Sequence, residues 1–215
     1  LISILKGSPV TNTMLEVATS SNLWVNLFIM VLCAPVAEEL IFRKLLIDRL
    51  AQYGEGVAVL FSGLMFGLFH GNLNQFVYAF VLGLCFGFIY VKTGNIRYTI
   101  GLHMLVNFLG SVLGVAILKW LGDDFLSIAS DPAGMMSYMT GNFGKLIVYF
   151  IYIFLLLGVA IAGIILFIVN LKKIRFLPGM NTLPKGKRFS TTVLNVGMAL
   201  YMIVWIVIII VQLFQ

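Results

Sequence analysis

Two adjacent carboxylates, Glu38 and Glu39, end an apolar run that extends from Leu23 to Val36, and Arg43 follows one turn later. Ionisable side chains inside a segment fit to enter a bilayer are costly and mark functional sites by default. Helical spacing then separates the two carboxylates. Glu39 and Arg43 are four apart, so they share a face and pair. Glu38 is turned about 100° away and keeps no such partner. One carboxylate is neutralised and the other is left as a general base in a low-dielectric place. The chain has 2 histidines, His70 and His103, and both fall in apolar helical stretches. Phe66 and His70 are four apart, as are His103 and Asn107, so each pair shares a face. A lone histidine in a membrane helix is commonly an interhelical hydrogen-bond partner. Three such polar pairs on successive apolar segments are not explained by packing. The chemistry on offer is proton abstraction by an unpaired carboxylate.

Positioning these groups requires helices. The chain is 215 residues, 61% hydrophobic and 10% charged, with a mean hydropathy of +1.06. A soluble domain is about a quarter charged, so the composition describes an all-α, polytopic membrane bundle rather than a soluble fold. About six spans are expected. They run from about Asn22 to Gln52 (with Pro35 a kink point), Gly56 to Gly71, Phe76 to Lys92, Ile96 to Trp120, Phe143 to Asn170, and Ser190 to Phe214. Residues 1–21 read as a loop or interfacial segment, Gly71–Gln75 as a polar turn, and Leu121–Asn142 as a long acidic loop. Residues 172–188 read as a basic loop. A single transmembrane domain over residues 1–215 is expected, with its motif-bearing core at about 22–120 and C-terminal helices at about 143–214. The chain begins at Leu1 without a signal-peptide pattern, and an N-terminal portion is expected before it. Cys33 and Cys85 are expected as buried free thiols. Gly83-x-x-x-Gly87 and Gly110-x-x-x-Gly114 have the spacing of close helix packing.

The net charge of +6 is read as topology, with no nucleic-acid partner. Alternating helices collect Lys44, Arg49, Lys92, Arg97, Lys172, Lys173, Arg175, Lys185, Lys187 and Arg188 on one side. The other side holds Lys6, Lys119 and Lys145 with Asp123, Asp124 and Asp131. The positive-inside rule makes the first side cytoplasmic. Measured from Arg49 and at 1.5 Å per residue, Glu38 lies about 16 Å deeper; His103 is about 9 Å in from Arg97. These depths allow one shared site in the cytoplasmic half of the membrane.

In this order, Glu38-Glu39-x-x-x-Arg43, Phe66-x-x-x-His70 and His103-x-x-x-Asn107 resemble the three motifs of the CAAX-protease and bacteriocin-processing (CPBP, or Abi) family. These are intramembrane endopeptidases and include the type II CAAX prenyl endopeptidases. The resemblance covers roughly residues 22–110. It implies proteolysis within the membrane: Glu38 as general base, His70 positioning or activating the water, His103 and Asn107 as oxyanion donors. Glu39, Arg43 and Phe66 match motif positions and are read as supporting. Hydrolysis of a peptide needs just such a base and such donors. No cofactor is expected. Zinc on Glu38, His70 and His103 is the less favoured alternative, since no His-Glu-x-x-His helix is present. The resemblance implies a membrane-associated peptide or protein substrate, such as a prenylated tail or a bacteriocin or pheromone precursor. The expected location is a cell membrane, bacterial from the short, compact chain, with the site facing the cytoplasm by the positive-inside rule. The rival class is a non-catalytic scaffold or chaperone that holds a partner membrane protein. A transporter stands third, because no internal repeat is visible.

Overall fold

The computed structural model describes residues 13–122, 125–129, 131–181, 184, 187, 190–191 and 194–214. Lys6, Asp123, Asp124, Lys185 and Arg188 therefore lie outside the described residues. Every regular element among those described is helical: α1 (Thr13–Ser20), α2 (Leu23–Tyr53), α3 (Glu55–Phe69), α4 (Leu73–Thr93), α5 (Ile96–Leu121), α6 (Phe125–Ile128), α7 (Pro132–Asn170) and α8 (Val196–Phe214). The chain is an all-α, multi-pass membrane bundle. Five of these helices, α2, α4, α5, α7 and α8, are long and apolar enough to cross a bilayer. α3 has 15 residues, about 22 Å at 1.5 Å per residue, short of a hydrocarbon core of about 30 Å.

That shortness shapes the centre. α3 and α4 form a hairpin, levelled at one end by an ion pair between Glu55 and Lys92. At the other end Gly71 turns the chain with φ +60°, a left-handed conformation that glycine adopts without strain. Asn72 then caps α4, accepting a hydrogen bond from the Asn74 amide at 2.8 Å. A turn at membrane depth is tolerable only when protein covers it. α8 supplies that cover: a side chain on Gly71 would meet Ile208 and Trp205 at 3.1 and 3.2 Å. The Tyr201 hydroxyl of α8 donates to the Met65 carbonyl at 2.7 Å.

Along the hairpin the two backbones nearly touch. A Cβ on Gly83 would lie 2.8 Å from the Gly63 Cα, which is the close approach that small residues permit. Gly114 packs against the Tyr152 hydroxyl, but a Cβ on Gly110 would meet nothing within 4 Å. Packing is therefore not the role of Gly110; it borders the cavity described below.

Several expectations need correction. Part of the predicted N-terminal loop is the helix α1, which is fastened to α2 because Asn26 Nδ2 donates to the Ala18 carbonyl at 2.8 Å. The predicted acidic loop contains α6 and the first turns of α7. Asp131 accepts from the amides of Ala133 and Gly134 and Pro132 occupies the first turn, a strong helix start. The expected start of the fifth helix instead coincides with a break at Asn142 (φ −128°, ψ 23°). Cys33 and Cys85 are free, as expected, but exposed. The outer face of a membrane bundle is itself apolar, so a thiol there needs no burial in protein. The segment after α7 folds back on the α2–α3 turn: the Asn181 amide donates to the Gln52 carbonyl at 2.9 Å. Leu177 N–H donates to Glu55 at 2.9 Å. These contacts bring the end of α7 to the Glu55–Lys92 end of the hairpin.

Close backbone approach makes a prediction. Gly83→Val should lower stability by about 1–3 kcal/mol through overpacking, read as a fall in the thermal midpoint in detergent. Gly101→Ala, in α5 with open space around it, should be neutral or should gain up to about 1 kcal/mol from helix propensity.

Candidate active site

The charged residues of α2 divide as their spacing requires. Arg43 and Glu39 are both without solvent exposure, with Arg43 Nε 3.0 Å from Glu39 Oε2. A guanidinium buried this way needs further partners. Its Nη1 donates to Ser62 Oγ of α3 at 2.9 Å, and that hydroxyl donates to the Phe42 carbonyl at 2.8 Å. The guanidinium carbon lies 4.7 Å from the ring centroid of Phe66, within cation–π range. Phe66 thus sits between the ion pair and both histidines, its ring 4.8 Å from that of His70 and 5.5 Å from that of His103.

His103 bridges the two carboxylates. Its Nδ1 is 3.1 Å from Glu39 Oε1 and its Nε2 is 3.7 Å from Glu38 Oε2. Glu39, tied to Arg43, is the acceptor, so His103 Nδ1 carries the proton. Glu38 Oε2 is buried and makes no hydrogen bond. His70 is fixed by the same logic. Its Nδ1 lies 2.8 Å from the Phe66 carbonyl; a carbonyl only accepts, so Nδ1 donates and the neutral ring keeps its lone pair on Nε2.

Asn107 is placed by an irregularity in α2. Residues Asn26–Cys33 form π-helical turns that lead into Pro35. The Ala34 amide reaches back five residues to the Ile29 carbonyl. In that register the Met30 carbonyl would await the amide of residue 35, and proline has none. The carbonyl is filled from α5 instead: Asn107 Nδ2 donates to it at 2.8 Å. Facing π-helical turns in α5 (Phe108–Gly114) complete the contact. Ser111 Oγ donates to the Asn107 carbonyl at 2.7 Å, and Asn26 Nδ2 to the Ser111 carbonyl at 3.1 Å. Pro35 therefore does more than kink α2; it frees the acceptor that orients Asn107, whose second amide proton remains available.

A cavity of about 480 Å³ is bordered by Glu38, His70, His103 and Asn107, along with Gln75 and Tyr78 of α4. Glu39 and Arg43 stand behind it. The sequence reading named all four of the first group but missed Gln75, Tyr78, Ser62, Asn26 and Ser111. Polar residues in apolar helices were the available signal for Ser62 and Asn26. As to zinc, among the described residues no group of three or more His, Cys, Asp or Glu side chains is arranged to hold a metal ion.

Residues 20–109 match the family model described as type II CAAX prenyl endopeptidase Rce1-like. The resemblance is to that family. The matched stretch contains every residue of the three motifs and the whole cavity wall contributed by α3 and α4. A 74-residue segment is 32% identical to a Bacillus subtilis (strain 168) protein named "Putative membrane peptidase YdiL", covering 34% of this chain and 30% of that protein. The chain thus spans less than a third of that relative's length in the alignment. No solved structure matches the chain. The apolar helices mark a multi-pass membrane protein.

Removing Ser62, the partner of the buried guanidinium, should cost stability first. Ser62→Ala leaves a buried guanidinium N–H unpaired and should cost about 1–3 kcal/mol. Arg43→Ala strands Glu39 and should cost about 3–5 kcal/mol. Glu39→Leu combined with Arg43→Leu should recover part of that loss. Thermal unfolding of the four proteins in one detergent checks the order.

Proposed function

We propose that this chain is an intramembrane endopeptidase of the glutamic type. The observation that carries the reading is the convergence of Glu38, His70, His103 and Asn107, from three helices, on one cavity while Glu39 is held apart by Arg43. Glu38 is the general base: its carboxylate takes a proton from water while the hydroxide forms a bond to the scissile carbonyl carbon. His70 Nε2, a lone-pair acceptor, holds the other proton of that water. The carbonyl oxygen gains negative charge opposite Asn107 and His103, whose donors stabilise it. For His103 this requires a proton on Nε2, the atom beside Glu38. Collapse of the intermediate breaks the C–N bond, the proton held by Glu38 passes to the leaving amine, and the products are a new carboxylate and a new amine terminus.

The substrate is a membrane-associated peptide or protein; a prenylated tail is the form that the Rce1-like match favours. The basic ends of α2 and α4 and the Lys172–Arg175 segment gathered beside them favour a cytoplasmic opening. The similarity to a Bacillus protein favours a bacterial cell membrane. A partner membrane protein belongs to the rival scaffold reading.

The test compares wild type and Glu38→Gln on a membrane-proteome extract and on a farnesylated fluorogenic peptide in liposomes, with and without a chelator. New peptide ends should form with wild type, survive chelation and vanish in the variant. Loss on chelation would replace the glutamic mechanism with a metal-dependent one. No difference between two folded proteins would move the function to a scaffold. Asn107→Ala should slow cleavage roughly 10²- to 10³-fold, as loss of an oxyanion donor does. Pro35→Ala, which restores an amide to compete for the Met30 carbonyl, should lose part of the same factor in kcat.

A further inference from the structure

The wall of the cavity formed by α4 holds a polar group with no assigned task. Gln75 lies one turn into α4, is 6% exposed, and borders the cavity with Glu38 and His70. Its Oε1 is buried without a hydrogen-bond partner. The neighbouring polar residues differ: Asn72 is occupied as the cap of α4, and Asn74 is exposed. A carboxamide that caps nothing and pairs with nothing costs stability where it sits. Leucine or methionine would fill the same space without that cost. Its use therefore lies with what enters the cavity.

The chemistry of the side chain indicates the occupant. A carboxamide carries one acceptor and a donor pair side by side, which matches the C=O and N–H of a peptide group and carries no charge to bind an ion. A peptide backbone drawn into a membrane-buried site loses its water partners, and each unsatisfied group then weighs against binding. In the endopeptidase reading His103 and Asn107 face the carbonyl that reacts. Neither accepts a hydrogen bond from a substrate N–H in that role. Gln75 borders the same cavity and has a buried acceptor to spare.

We propose that Gln75 is a substrate-positioning residue whose carboxamide pairs with a backbone peptide group of the bound substrate adjacent to the bond that is cut. The inference rests on the endopeptidase reading. It adds sequence-independent recognition of an extended main chain, supplied by α4, to the hydrolytic groups of α2, α3 and α5.

The test uses Gln75→Met, close in volume and unable to pair. The probe is the farnesylated peptide in liposomes, with a set of analogues in which one backbone N–H at a time is replaced by an ester oxygen. The thermal midpoint of Gln75→Met should equal or exceed that of wild type, because an unpaired buried amide has been removed. KM should rise about tenfold with kcat nearly unchanged, the signature of lost uniform binding. Wild type should lose about tenfold on one ester analogue relative to the parent peptide, and Gln75→Met should treat those two alike. A lowered thermal midpoint with unchanged KM would make Gln75 structural and overturn the proposal, as would an ester penalty equal in both proteins. Binding of the same peptide to Glu38→Gln and to Glu38→Gln with Gln75→Met reads the inference without turnover. Equal binding there sinks the role of Gln75 while leaving hydrolysis standing. Tenfold weaker binding beside a wild type that does not cut sinks hydrolysis and keeps the pairing. A wild type that neither binds nor cuts the peptide overturns both.

Discussion

A guanidinium cannot be left alone inside a membrane bundle, and Arg43 is the largest fully buried side chain among the described residues. Its charge fixes the relation of three helices. Glu39 comes from its own helix one turn back, Ser62 from α3 and, through Glu39, His103 from α5. Desolvated charges of this kind tolerate little displacement, since a lost partner leaves an uncompensated ion. Because Arg43 can satisfy one carboxylate and Glu38 and Glu39 are adjacent, the second carboxylate is turned to the cavity with no hydrogen bond on Oε2. The free carboxylate is thus a by-product of the paired one, and rings of Phe66 and Phe86 close the space around the cation.

Backbone irregularity does the rest of the positioning. π-helical turns are scarce and are found preferentially at functional sites; here they occur in both α2 and α5, which carry candidate chemistry and face one another. A regular helix would have used the Met30 carbonyl internally. With Pro35 following the π-helical turns, that carbonyl becomes an acceptor for Asn107, and Asn26, fully buried, ties α1 and α5 to the same stretch. Side-chain amides in lipid find partners wherever the backbone leaves them, because no water competes.

The helices beyond the core divide their duties. α8 covers the hairpin turn beside His70, with Trp205 5.1 Å from Phe69. No residue in the most apolar stretch of α7 is buried within the protein. A helix apolar on all sides with so little protein contact is at home in lipid, where exposure carries no hydrophobic penalty.

The residue types and spacings alone determined a great deal. An all-helical membrane chain follows from 10% charge and long apolar runs, and the i, i+4 relation of Glu39 to Arg43 follows from helical periodicity. The family resemblance also lay in local motifs. Boundaries fail where a helix cap looks like a loop, as at Asp131–Pro132, and spacing alone assigns Gly110 to packing when it borders a cavity. Three things were decided only by the tertiary structure. His103 is shared between both carboxylates, Asn107 is held by a carbonyl 77 residues away in sequence, and Gln75, which borders the cavity, is left with a buried, unpaired oxygen. Periodicity reports which face of a helix a residue occupies. Which partner meets that face, and which polar atom is left without one, depends on how the helices pack.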